Sequence, residues 1–193
     1  NIDFVIANGE NASHGFGLTI KNANELFNCG VDFITGGNHT WDKKKDMLVL
    51  LETKPVIRPD NYPEGVAGTG VKVVKIGEVD FAIINLMGIY TMPQVLNPFT
   101  HAKELIQKLR DDGIKHIFID FHAEVTSEKR TMMQLLKGEV SAICGTHTHV
   151  GTDDLEITDG TFYVTDIGLT GCRDNVIGMD SKVPIQKALT GLG

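Results

Sequence analysis

Cysteine is scarce in this 193-residue chain: three residues, Cys29, Cys144 and Cys172, with no Cys-x-x-Cys pair among them. An odd, scattered set of thiols does not build a disulfide framework and fits a reducing compartment. Long apolar runs are also missing. No stretch approaches the ~20 residues needed to span a bilayer, and no secretory leader is visible, so the expected location is cytoplasmic, with no membrane partner. Basic residues are outnumbered: 18 Lys and Arg face 25 Asp and Glu, a formal charge of -7. That balance argues against broad nucleic-acid binding through a basic face. A small phosphate substrate stays open, because a bound cation can reverse the local field. Internal repeats, low-complexity segments and interdomain linkers are absent too. What remains is 41% hydrophobic and 22% charged, enough for one domain, residues 1–193, around a sizeable core.

Short β-rich runs alternate with helical spacing. Strands are expected at 3–8, 31–38, 116–124 and 140–150, and helices at 19–30, 42–53, 102–113 and 127–138. Residues 71–77 and 79–88 should form a hairpin around Gly77-Glu78, and Asp159-Gly160 marks a second one. Segments 55–70 and 89–99 read as loops. Strands alternating with helices imply a layered α/β domain, and the hairpins make its sheets mixed rather than purely parallel.

Polar residues recur just after the apolar part of each strand. The first strand delivers Asn8, Glu10 and Asn11, the second Asn38 and His39, the 116–124 strand His122 and Glu124, and the 140–150 strand His147 and His149. Ligands collect in the crevice beyond the carboxyl ends of strands in such sheets. In an extended chain His147 and His149 would point the same way, with Thr146 and Thr148 facing elsewhere. Each piece has a plainer reading: the histidine pair as strand-end packing, His122 as a hydrogen-bonded core residue, "GGNH" as a glycine turn and "NGEN" as an Asx turn. Four strand ends bearing an acid, amides and four of the seven histidines point instead to a metal site. His14, His101 and His116 fall outside that pattern. Cys144 reads as core.

The blocks "NGENASHGFG", "GGNHTWD", "FHAEVTSEK", "CGTHTHVGTDD" and "YVTDIGLTG", in this order, resemble the calcineurin-like metallophosphoesterases, and within them the bacterial YmdB-like cyclic-nucleotide phosphodiesterases. The resemblance implies a four-layer α/β/β/α sandwich with mixed sheets and a dinuclear centre holding two divalent or trivalent metal ions, iron first, with manganese or zinc as alternatives. By the same resemblance Glu10 would bridge the metals. Asn11 and His149 would complete the first site, and Asn38, His122 and His147 the second. His39 would be the general acid rather than a ligand. A hydroxide shared by the metals would attack a small phosphodiester, with 2′,3′-cyclic nucleotides as the implied substrate. Phe16, Trp41 and Tyr90 are candidate base-stacking residues, and homo-oligomerisation is left open.

One departure matters. The family's first strand ends in a Gly-Asp whose Asp ligates the first metal, and this chain starts beyond that point. The expectation is a chain truncated at both ends and lacking its first strand. Two other readings stand beside the phosphodiesterase: a hydrolase of other esters or amides with the same ligands, and a metal-stabilised regulatory or binding protein with an incomplete first site.

Overall fold

Residues 2–192, described by the computed structural model, form eight strands and five helices. In chain order these are β1 (Ile6–Asn8), α1 (Ile20–Asn28), β2 (Phe33–Thr35), α2 (Lys44–Thr53), β3 (Val71–Ile76), β4 (Val79–Met87), α3 (Pro98–Asp111), β5 (His116–His122), α4 (Thr126–Leu136), β6 (Ala142–Thr146), β7 (Glu156–Thr158), β8 (Thr161–Val164) and α5 (Lys182–Thr190). Local chemistry sets their limits. The Thr19 side chain accepts from Asn22 N at the start of α1. Lys54-Pro55 closes α2. Both expected hairpins form, and Asp159 (φ 52°) with Gly160 (φ 83°) makes a two-residue turn with both angles positive. Helix α3 begins four residues earlier than its apolar spacing predicts. Asn97 accepts from Phe99 N and Thr100 N, and Pro98 occupies the first turn, where a missing N–H costs nothing.

Two sheets result. β1 and β2 pair in parallel; β3-β4-β5-β6-β8-β7 form a six-stranded sheet, parallel at its centre and antiparallel at both ends. Among the described residues, no strand pairs with the other edge of β1. Period-two alternation then sorts side chains into layers. Ile84, Leu86, Ile117, Ile119 and Phe121 face α3 and α4 through Ala102, Ile106, Met132 and Met133. Ile34 faces α1 and α2 through Ala23, Met47 and Leu50. Phe33, Ile57 and Ile83 meet between the sheets. The order is helices, sheet, sheet, helices, as expected for the metallophosphoesterase sandwich. Asp120 and His122 share the inter-sheet face with Phe118, so strand parity aims His122 at the mouth between the two sheets. No helix among the described residues is long and apolar enough to cross a membrane.

Candidate metal centre

β1, β2, β5 and β6 end on the same side of the sandwich, and each releases a polar side chain there. Glu10 and His122 are almost fully buried, 2% and 1% exposed. His122 Nε2 lies 2.7 Å from Asn38 Oδ1, 3.2 Å from Glu10 Oε1 and 3.1 Å from His147 Nδ1. Ligand atoms of Glu10, His122 and His147 all fall within 4.8 Å of one another.

The proton count decides what this arrangement suits. Asp120 receives Thr146 Oγ1 at 2.7 Å, Thr35 Oγ1 at 2.5 Å and Asn8 Nδ2 at 3.0 Å. Thr146 spends its one proton on Asp120, so its oxygen accepts from His122 Nδ1, 3.0 Å away. That leaves Nε2 of the neutral ring with its lone pair facing the cluster. His147 Nε2 lies 3.0 Å from Glu124 Oε2, which turns the Nδ1 lone pair inward in the same way. A carboxylate, an amide oxygen and two imidazole lone pairs therefore meet at one point. A proton on His122 Nε2 could serve one of the three neighbouring acceptors; a cation serves all four atoms. The donor set thus fits a metal ion.

Asn11 and His149 repeat the pattern. Asn11 Nδ2 donates to Gly15 O at 2.8 Å, and His149 Nδ1 donates to Ile177 O at 2.9 Å. Asn11 Oδ1 and His149 Nε2 are left 3.1 Å apart, acceptor facing acceptor. The two histidines do not converge as an extended strand would require. β6 ends at Thr146, and the backbone turns left-handed at His147 (φ 106°) and His149 (φ 62°). Such conformations cost on the order of 1–3 kcal/mol each for non-glycine residues. One ring is thereby sent to the Glu10 cluster and the other to Asn11. Thr146 does not face away either; it orients His122.

Electrostatics agree with the geometry. Burial alone would raise the Glu10 carboxyl, but a proton on His122, were the ring to carry one, and the His39 N–H would hold it below the usual range; a cation at the unprotonated Nε2 would act in the same sense. Burial and the neighbouring His122 lower His147, favouring the neutral ring that a metal needs. Burial pushes Asp120 up against its three donors. Cys144 is half-buried, its thiol pushed up to about 12 by burial and Asp120, so it offers no thiolate.

The cluster opens into a cleft of about 950 Å³ bordered by Glu10, Asn11, Phe16, His39, Glu124, His147 and His149. His39 donates its backbone N–H to Glu10 Oε2 at 2.9 Å, while its ring Nδ1 lies 2.8 Å from Asp42 Oδ2. The side chain itself takes no part in the cluster. Of the three aromatic candidates, Phe16 borders the cleft, 54% exposed and edge-on to His39 at 5.1 Å. Trp41 packs instead against Tyr62 and the α1–α2 core, and Tyr90 lies outside the cleft lining.

The family model for YmdB-like proteins matches residues 1–193. The chain belongs to that family. It is 46% identical over 190 residues to a 2′,3′-cyclic-nucleotide 2′-phosphodiesterase of Bacillus subtilis (strain 168), covering 98% of this chain and 72% of the relative. A crystal structure of a phosphatase from Mycoplasma pneumoniae superposes with a TM-score of 0.91 at 40% identity, over 98% of this chain and 69% of that one. The 5′-nucleotidase precursor of Thermus thermophilus, at 16% identity, shares the fold alone: TM-score 0.51 over 74% of this chain and 34% of that one.

In this YmdB-like chain the second glycine of "GGNH" has a steric reason. A Cβ on Gly37 would lie 2.5 Å from His122 Nε2 and closer still to Glu10 Oε2. Gly37→Ala is therefore expected to push the Glu10 and His122 side chains apart and, if they hold a metal, to weaken its binding at least about tenfold while the helical layers stay folded. Titration of the purified variant with Mn²⁺, alongside circular dichroism, checks this; unaltered affinity would refute the steric reading.

Several contributors escape sequence reading. Asp120 sits in an apolar run, Asp42 looks like a helix-start acid, and Lys129 looks like a solvated helix residue. His101, outside the strand-end pattern, has its Nε2 2.7 Å from Asp60 Oδ2. Asp166 lies within "YVTDIGLTG", the one quoted block for which strand-end spacing gives no role.

Proposed function

We propose that this chain is a metal-dependent phosphodiesterase of small substrates, with 2′,3′-cyclic nucleotides as the first class to test. The observation that carries the reading is the meeting of lone pairs without protons at Glu10, Asn38, His122 and His147, of which Glu10 and His147 border a cleft large enough for a nucleotide. Glu10, Asn38, His122 and His147 would hold one ion and Asn11 and His149 a second, with Glu10 shared between them. Iron is the first candidate, then manganese or zinc, since carboxylate, amide and imidazole donors suit all three. When bound, the two ions would supply Lewis acidity to the phosphoryl oxygens and a water acidic enough to act as nucleophile near neutral pH.

The chain's own residues supply the rest. Asp42 fixes the His39 ring through Nδ1 and leaves Nε2 for the substrate, where His39 would protonate the departing oxygen. Phe16, edge-on to His39, gives the cleft an apolar wall on which a base can rest. Glu124 aligns His147 and Thr146 aligns His122, so neither ligand ring has to reorient during turnover.

Hydrolysis of 2′,3′-cyclic AMP and of bis-p-nitrophenyl phosphate by the Mn²⁺-loaded protein, with p-nitrophenyl acetate untouched, is the expected outcome. Cleavage of the carboxylic ester alone would favour the other-ester hydrolase. A metal-bound protein inert on every ester would favour the regulatory reading, which draws support from the two-atom Asn11–His149 set.

A further inference from the structure

Lys129 and Asp166 form an ion pair at 2.8 Å with both side chains 1% exposed, away from the metal-ligand atoms. Burying a charge pair is often no better for stability than apolar packing of the same volume, so such a pair calls for another reason. The hydrogen bonds of Asp166 supply one. Its Oδ2 accepts from both the backbone N (3.1 Å) and Oγ1 (2.8 Å) of Thr148, the residue between His147 and His149. Its Oδ1 accepts from Gly168 N at 2.8 Å. Its backbone is tied on both sides to Thr152, at 3.0 Å from each group, and Ile167 N donates to Gly145 O on β6.

We infer that Asp166, charge-balanced by Lys129, is a positioning residue that holds the His147–His149 turn in its left-handed conformation through Thr148. The inference rests on the metal-centre reading above and extends it to residues that touch neither ligand ring. Both histidines carry positive φ, which persists only where neighbours over-determine the backbone. Thr148 is the one residue of the turn fixed through backbone and side chain together, by the same carboxylate oxygen. Lys129, anchored in α4, donates to that carboxylate and keeps it aimed, so the helix beneath the six-stranded sheet fixes where the two imidazoles emerge.

The test uses the full chain, metal-free, as wild type, Thr148→Val, Thr148→Ser and Asp166→Asn. Backbone carbon shifts of His147 and His149 report the left-handed conformation, and calorimetric titration with Mn²⁺ reports the ligand set. Thr148→Val and Asp166→Asn are expected to move both residues' shifts toward extended values and to weaken Mn²⁺ binding by about 10- to 100-fold. Thr148→Ser, which keeps the hydroxyl, should restore both. Unchanged shifts, or Mn²⁺ affinity within about twofold of wild type in Thr148→Val, would overturn the inference. Should Asp166→Asn fail to fold, the Val and Ser pair decides. Wild-type protein that binds no Mn²⁺ would defeat the metal reading, while the backbone shifts would still judge the clamp.

Discussion

Glu10→Gln is expected to release the bound metal and to lower phosphodiester turnover by about three powers of ten. Glu10 is the one anionic donor in the convergent set; Asn38, His122 and His147 offer neutral atoms. Loss of the Lewis acid removes several kcal/mol of transition-state stabilisation, and each ~1.36 kcal/mol is tenfold in rate. The substitution is nearly isosteric, and its geometry favours a particular outcome. The Gln oxygen can keep the His39 N–H, now 2.9 Å from Oε2, so the new NH₂ group faces the lone pairs of Asn38, His122 and His147. A neutral donor then occupies the cation's role. Metal-free Glu10→Gln should be at least as stable to heat as the metal-free wild type. Calorimetry with elemental analysis checks both halves; a metallated, active Glu10→Gln would contradict the shared-carboxylate role.

His39→Ala should lose about 10²- to 10⁴-fold in turnover while keeping its metal, because general acid help is worth that much. The contact between His39 and the cluster is its backbone N–H to Glu10, which alanine preserves. KM should change little, and the loss should shrink for substrates with better leaving groups, which need less protonation. Steady-state kinetics on a leaving-group series, with metal content measured on the same sample, separates the roles. Metal loss in His39→Ala would show that the ring is a ligand after all.

The strand ends were legible because strand parity and apolar length are local properties. Phe118, Asp120 and His122 share a face by spacing of two, and β1, β2, β5 and β6 each stop where polar residues begin. A layered α/β domain followed from the same alternation, whereas the four-layer order was implied by the family resemblance. The trajectory of His147 and His149 was not legible, because it depends on positive φ angles enforced by Asp166, 18 residues beyond Thr148. Likewise Lys129 becomes buried only because Asp166, 37 residues away, meets it. Thr146, 24 residues from His122 and 26 from Asp120, bonds to both. Partners of this kind are set by which strands lie side by side, and single-residue types carry no trace of it. The start of α3 is different: Asn97-Pro98 is a local capping signal, which apolar spacing beginning at Ala102 does not register.

The most direct test of the central claim is metal content per chain after purification without added metal or chelator, for wild type and for His122→Ala. The expected result is at least one tightly held ion of iron, manganese or zinc per wild-type chain, lost in His122→Ala. Wild-type protein free of metal, and unable to take up any of the three on titration, would contradict it.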